Sequence, residues 1–320
     1  MTDMKHPLRV YIVLLIGVLA SSSAAIFIRL AQSEEVPSLV VAGGRVALAT
    51  AALLPFVVFR PAHVAQIRQL TRRDLLLVGA SGFFLAVHFA TWISSLEYTT
   101  VLISVVLVST SPIWVAILEM VFLKARLSPM VILGLVLVVC GGMLIGLSGG
   151  DSDSIIANQP ALGATLAITG AIAVAIYMVI GRKVRSSLST TPYVFMVYGV
   201  AAVTMLGIIL ISGTPITGYS TKGYLLIVGL ALFPQLTGHS SANYLLAYLP
   251  ATYVSLAWQT EPIVSALGAF VVFTETPGPL QILGGGVIII GVVLATLNNR
   301  DLVMRLLKKN VRLMHSGYQH

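Results

Sequence analysis

Residues 96–145 read LEYTTVLISVVLVSTSPIWVAILEMVFLKARLSPMVILGLVLVVCGGMLI, and residues 246–295 read LAYLPATYVSLAWQTEPIVSALGAFVVFTETPGPLQILGGGVIIIGVVLA. The two stretches stand 150 residues apart and align without a gap. Leu96, Tyr98, Thr110, Pro112, Ile113, Ala116, Val121, Pro129, Ile132, Leu133, Gly134, Gly141 and Leu144 recur as Leu246, Tyr248, Thr260, Pro262, Ile263, Ala266, Val271, Pro279, Ile282, Leu283, Gly284, Gly291 and Leu294. Apolar composition alone yields scattered coincidences. It does not hold the same Pro, Gly and Tyr positions in one register over roughly fifty residues, so the chain contains an internal repeat. Each copy is two apolar segments around a short hinge, 127–129 or 277–279.

Composition decides the solvent. With 57% hydrophobic and 9% charged residues and a mean hydropathy of +0.97, the 320-residue chain has too little polar surface for water, and reads as an integral membrane protein. The single cysteine, Cys140, lies in an apolar segment and supports neither a disulfide framework nor a thiolate metal site. The net charge of +8 is gathered between apolar segments, which reports topology rather than a nucleic-acid partner. Membrane lipid is the partner that composition implies.

Runs long enough to cross about 30 Å of hydrocarbon as helices of about 20 residues occur ten times. They cover 9–30, 37–59, 75–96, 100–123, 129–149, 161–181, 192–212, 223–246, 251–273 and 279–298. The small residues Ser21, Ser22, Ser23, Ala24 and Ala25 after the first run resemble a signal-peptide cleavage site, but cleavage would leave roughly nine of the ten spans and break the symmetry of the two halves. The expected fold is therefore an all-α integral membrane protein of ten transmembrane helices. It divides into a five-helix repeat at 1–149, an outer linker at 150–160, an inverted five-helix repeat at 161–298 and a basic cytoplasmic tail at 299–320.

Placing the N terminus in the cytoplasm puts sixteen of the nineteen Lys and Arg residues on the inner side, from Lys5 and Arg9 to Arg312. Arg29 and Lys222 fall outside, Arg45 lies within a span, and the outer loops collect Glu34, Glu35, Asp151, Asp153 and Glu275. This predicts a multi-pass protein of the cell's inner membrane with both termini cytoplasmic. Five spans per repeat make the halves enter the membrane in opposite directions, the arrangement that lets one midplane site open to each side in turn.

Arg45-x-x-x-Ala49, the 94–100 segment SSLEYTT, Thr110-Ser111-Pro112-Ile113, Glu261-Pro262-Ile263-Val264 and Gly284-Gly285-Gly286 with Gly291 together resemble the drug/metabolite transporter superfamily, and within it the EamA-type permeases. Members commonly carry a Glu in the hairpin turn of each half. Here Glu275 fits and Ala125 stands at the other position. The resemblance implies a secondary transporter, often an exporter of amino acids, drugs or related metabolites, with a central cavity between the halves.

Polar side chains in mid-span are costly and tend to face a cavity, so they are the site candidates. Arg45 reads either as an ion pair holding the bundle or as a substrate contact. Glu261, beside the helix-interrupting Pro262, reads as a binder of a cation, proton or substrate amine, or as the buried partner of Arg45. Glu119 reads as structural, pairing with Lys124 or headgroups. His88 and His239 stand at corresponding depths in the two halves, followed one turn on by Trp92 and Asn243. Each pair reads as cavity lining or as interhelical glue. Tyr177, Gln235, Tyr244, Trp258 and Gln259 complete the expected substrate-binding set, while Trp114 reads as packing. No second His or Cys stands at metal-ligand spacing in these spans, and no cofactor is implied.

Gly141-Gly142 and Gly284-Gly285-Gly286 read as letting helices pack closely, and Gly141 to Gly146 or Gly286 to Gly291 as a face within the bundle or between two copies in a homodimer. Without a phosphate-cradling loop, uphill transport must draw on a gradient, with a coupling proton as the expected partner of the small-molecule substrate. Arg305, Lys308, Lys309 and Arg312 fall at helical spacing opposite apolar residues, as in a helix lying on the anionic inner leaflet. Two rivals remain. An intramembrane enzyme using His88, His239 and Glu261 on a lipid-borne substrate lacks a nucleophile beside a base, and a passive channel lacks a ring of like residues.

Overall fold

The computed structural model describes residues 5–98, 104, 107–147, 159–273 and 277–297, and these are helices joined by short turns. Thr99, Thr100, Asp151, Asp153, Glu275 and the basic tail lie outside the described residues. In chain order the helices are α1 Lys5–Ser22, α2 Ala24–Ser33, α3 Ser38–Val58, α4 Pro61–Arg68, α5 Arg72–Tyr98, α6 Ser111–Phe122 and α7 Pro129–Leu147. There follow α8 Pro160–Val184, α9 Thr190–Ser212, α10 Thr221–Leu230, a π-helical segment Ala231–His239, α11 Ser240–Leu245, α12 Ala251–Trp258, α13 Glu261–Phe273 and α14 Pro279–Leu297.

Six helical stretches among the described residues are long and apolar enough to cross a membrane: Leu8–Ser33, Ser38–Val58, Arg72–Ser95, Pro160–Val184, Thr190–Ser212 and Thr221–Leu245. Large apolar side chains such as Phe59, Ile211, Leu225 and Val271 face outward, as they do in a protein whose surroundings are lipid. The chain is a multi-pass membrane protein. Three further apolar stretches, Ser111–Phe122, Pro129–Ile145 and Pro279–Ala295, lie within α6, α7 and α14.

Local chemistry explains the interruptions. The first stretch is interrupted at Ser23, where Ser22 Oγ donates to the Val18 carbonyl and Ser23 Oγ to the Ala20 carbonyl, both at 2.7 Å, competing with the helix ladder. The serines that resemble a cleavage site thus stand at the junction of α1 and α2. The 60–71 connection contains α4, opened by Pro61 at its first position.

The sequence repeat is a repeat of structure down to individual bonds. Thr110 Oγ1 donates to the Leu107 carbonyl at 2.6 Å, and Thr260 Oγ1 to the Ala257 carbonyl at 2.7 Å, each closing a helix just before a Pro. The hinge repeats too: Val131 and Ile132 donate to the Ser128 carbonyl as Gln281 and Ile282 donate to that of Gly278. Packing is reciprocal as well. Helix α5 lies along α8, while α1 and α2 lie along the α10–α11 stretch, and α3 pairs with α9 as α7 pairs with α14.

The α7–α14 crossing is made by glycine. A Cβ added at Gly134 would stand 2.6 Å from the Gly291 carbonyl oxygen, and one at Gly291 would stand 2.8 Å from that of Gly134. Gly141 and Gly284 repeat the relation at 2.6 and 2.5 Å. The close-packing face is therefore Gly134, Gly141, Gly284 and Gly291, inside the bundle. This corrects the face expected from Gly286, whose added Cβ would meet nothing within 4 Å.

The connections are tied at both ends. Ser189 donates from N and Oγ to Gln66 Oε1 at 3.2 and 2.7 Å, holding α4 against the α8–α9 connection. At the opposite end Lys222 Nζ pairs with Glu34 at 2.7 Å and Ser220 Oγ donates to it at 2.6 Å. The Lys222 ammonium and the Ser220 hydroxyl hold the Glu34 carboxyl below the usual carboxylate range.

Candidate substrate-binding site

The centre of the bundle is organised on Phe89, which is 1% exposed. The Arg45 guanidinium lies over its ring at 4.5 Å, His88 packs beside it at 5.2 Å between ring centroids, and His239 meets it edge-on at 5.4 Å. The two histidines from different halves therefore share one ring. His88 Nδ1 is 2.9 Å from the Gly170 carbonyl, and its ring stacks on Trp92 with planes 11° apart. His88 and Trp92 thus share a helix face, one turn apart.

Gln235 is fully buried in the π-helical segment, where the widened turn around Pro234 brings its side chain to α3. Arg45 Nε donates to Gln235 Oε1 at 3.0 Å. Tyr198 and Ser240 hydroxyls donate to the Gln235 backbone carbonyl at 3.3 and 3.4 Å, which also accepts from the Ser240 backbone N–H. Asn243, also fully buried, donates through Nδ2 to the His239 carbonyl at 2.8 Å and to the Tyr177 hydroxyl at 2.5 Å.

Four buried side-chain atoms in this region have no hydrogen-bond partner among the described residues: Arg45 Nη2, Trp92 Nε1, Gln235 Nε2 and Asn243 Oδ1. Buried polar atoms are paired in the great majority of folded proteins, so four in one neighbourhood call for a reason. Three donate and one accepts. All four belong to residues singled out from the sequence.

Trp258, Gln259 and Glu261 form a second cluster at the helix break. Gln259 Nε2 donates to the Ser109 carbonyl at 3.1 Å. Positions 109 and 259 are equivalent in the repeat, so the two breaks touch each other. Trp258 Nε1 donates to Ser21 Oγ at 3.1 Å, and the half-buried Glu261 carboxylate reaches the same hydroxyl. Glu261 opens α13, where a helix N-terminus favours an acid. Arg45 and Glu261 interact only at longer range and form no ion pair among the described residues: Gln235 engages the guanidinium and Ser21 the carboxylate. Tyr244 lies apart from both clusters, against Tyr248 at 4.9 Å and under Arg9 at 5.4 Å.

Glu119 is 2% exposed and its contacts differ from expectation. It accepts from the backbone N–H groups of Ala251 and Thr252 at 2.7 and 3.0 Å and from the Thr252 hydroxyl at 2.6 Å. Lys124 is exposed at the turn instead. Pro250 precedes α12 and has no side chain able to cap it, so a carboxylate from α6 does so.

The profile of the EamA-like transporter family matches residues 8–147 and again residues 161–297. The chain belongs to that family. It is 25% identical over 263 residues to the uncharacterized transporter YyaM of Bacillus subtilis (strain 168), a match covering 80% of this chain and 83% of the relative. In shape it is similar to a protein of known crystal structure at a TM-score of 0.73 and 18% identity, covering 92% of this chain and 98% of that one. That likeness bears on the fold alone.

Family and relative point this EamA-like protein toward transport rather than catalysis. Two of its central residues, Phe89 and Ser21, were not among the site residues expected from the sequence. Phe89 is one apolar residue among many. Ser21 had a signal, a polar residue inside an apolar run, which its two serine neighbours obscured.

Proposed function

We propose that this EamA-like protein is a secondary transporter that exports a small organic metabolite, such as an amino acid, a drug or a related compound, by alternating access. The site is the buried neighbourhood of Phe89, with His88, Trp92, Tyr177, Gln235, His239 and Asn243 around it and Arg45 at its charged edge. The observation that carries this reading is the group of four unpartnered buried polar atoms, which a polar ligand would satisfy.

Ten spans in two inverted halves, 1–149 and 161–298, are the framework we propose. The family profile matching each half, the bond-for-bond repeat of helix breaks and the reciprocal packing support it. Interrupted helices that meet in the interior are a recurring feature of transporter sites. Glu261, at such an interruption, is the proposed site of the coupling proton. The outward direction follows from the family resemblance.

Metabolite profiles of cells with and without the protein identify the candidate solute, and proteoliposomes then measure its flux. Asn243→Leu should reduce counterflow by at least about tenfold, the worth of one hydrogen bond to the ligand. Glu261→Gln should abolish uptake driven by a pH gradient while leaving counterflow intact. Unchanged counterflow in folded Asn243→Leu and Gln235→Leu proteins would remove the site.

A further inference from the structure

Resting on the transporter reading above, the chemistry of the open atoms narrows what the site holds. Arg45 is 1% exposed, and its partners among the described residues are neutral: Gln235 Oε1 at Nε and the Phe89 ring over its face. Arg185 shows what a structural buried arginine looks like in the same chain. It is 5% exposed, and each of its three nitrogens has a partner: Nε the Asn243 carbonyl at 2.9 Å, Nη1 the Leu188 carbonyl and Nη2 the Thr190 hydroxyl at 2.6 Å. Arg45 Nη2 has none.

The neighbouring amide is oriented by the same contact. Because Gln235 Oε1 accepts from Arg45 Nε, the Gln235 NH₂ is the free end, and it too is buried without a partner. Two open donors therefore sit on two side chains locked by one hydrogen bond, with a full positive charge and no open acceptor of their own. A neutral ligand or a water molecule would fill the hydrogen bonds and leave the guanidinium with only the longer-range Glu261 carboxylate, itself held by Ser21, as its counter-charge among the described residues. A cation would meet the guanidinium. An anion with two acceptor oxygens meets all three requirements, and guanidinium favours planar oxyanions.

We propose that Arg45 and Gln235 form an anion site, and that the transported molecule is a small organic acid bearing an ionised carboxylate. The Gln235 amide fixes one oxygen and Arg45 Nη2 the other. The site is then charge-complete when occupied.

Thermal unfolding of the purified full-length protein in detergent tests this. The probes are sodium salts of aliphatic, hydroxylated, aromatic and amino-substituted carboxylic acids, each beside its primary amide at matched ionic strength, with sodium chloride as the control for a general salt effect. At least one acid should raise Tm by several degrees while its amide does not, and Arg45→Gln should abolish the shift. Should Arg45→Gln fail to fold, Gln235→Glu supplies the same answer, since it places a carboxylate on Arg45 from within. That variant should be at least as stable as the wild type when empty and should have lost its response to acids. Amides or amines acting as strongly as the acids, a retained response in Gln235→Glu, or no response to any acid in the wild type would overturn the anion site. Counterflow on the same preparation separates the two readings. An acid that binds but is not moved removes the transporter and leaves the anion site; a cation moved equally well by Arg45→Gln leaves the transporter and removes the anion site.

Discussion

At the scale of single residues, Glu119 shows how a buried charge in a membrane protein can be structural. Its carboxylate accepts two backbone N–H groups and a hydroxyl from a segment 132 residues away, at the start of α12. Removing it in Glu119→Ala strands two donors of a helix N-terminus, and the expected loss is about 2–4 kcal/mol from the lost cap and the unsatisfied groups together. Glu119→Gln keeps one carbonyl oxygen to accept, and should retain most of the stability and a normal flux per folded molecule. Thermal unfolding alongside counterflow checks both, and a Glu119→Gln protein that is stable but inactive would assign the carboxylate to transport. The sequence could flag Glu119, Arg45, Gln235 and Asn243, because a polar residue in an apolar run stands out. It could not reveal that Glu119 caps α12 rather than pairing with the nearby Lys124, since the partner is remote in sequence. Nor could it single out Phe89, whose role comes from what surrounds it.

At the scale of helices, the repeat was legible because its markers are conformational: Pro112 and Pro262 stop a ladder, and Thr110 and Thr260 close the turn before them. The π-helical turn at Ala231–His239 was not legible, because Pro234 marks an interrupted ladder without fixing how wide the turn around it becomes. The glycine face was read only in part for a similar reason: Gly141, Gly284 and Gly291 belong to it, Gly286 does not, and Gly134 was missed. Several glycines lie in each segment, and only the crossing of α7 and α14 selects Gly134 with Gly141 and Gly284 with Gly291, each pair one heptad apart. The contrast makes a clean test. Gly141→Ala places a methyl 2.6 Å from the Gly284 carbonyl oxygen, so two backbones must part, at an expected cost of about 1–3 kcal/mol for overpacking. Gly286→Ala enters open space and should change stability by less than about 0.5 kcal/mol. Equal unfolding temperatures for the two variants would mean that α7 and α14 do not pack through these glycines.

For the whole molecule, orientation is the property that charge predicts and packing constrains. Sixteen of nineteen basic residues on one side argue for a cytoplasmic N terminus. The contacts add a condition that charge counting lacks. Gln66 is bonded to Ser189, so the 60–71 and 185–189 connections share one side of the membrane. Glu34 is bonded to Lys222 and Ser220, so the 34–37 and 213–220 connections share the other. Single cysteines at Thr217, Gln69 and Ser186, each in an exposed position, read this out in a protein whose lipid-facing Cys140 is replaced by Ser. In intact cells an impermeant thiol reagent should modify the cysteine at Thr217 and leave those at Gln69 and Ser186 untouched until the membrane is opened. The failures differ in meaning. Labelling at both Gln69 and Ser186 with protection at Thr217 would reverse the whole molecule and leave the fold intact, turning the positive side outward against the usual bias. Labelling at one of Gln69 and Ser186 but not the other would split a pair that the structure holds together, and would remove the inverted halves on which the proposed alternating access depends.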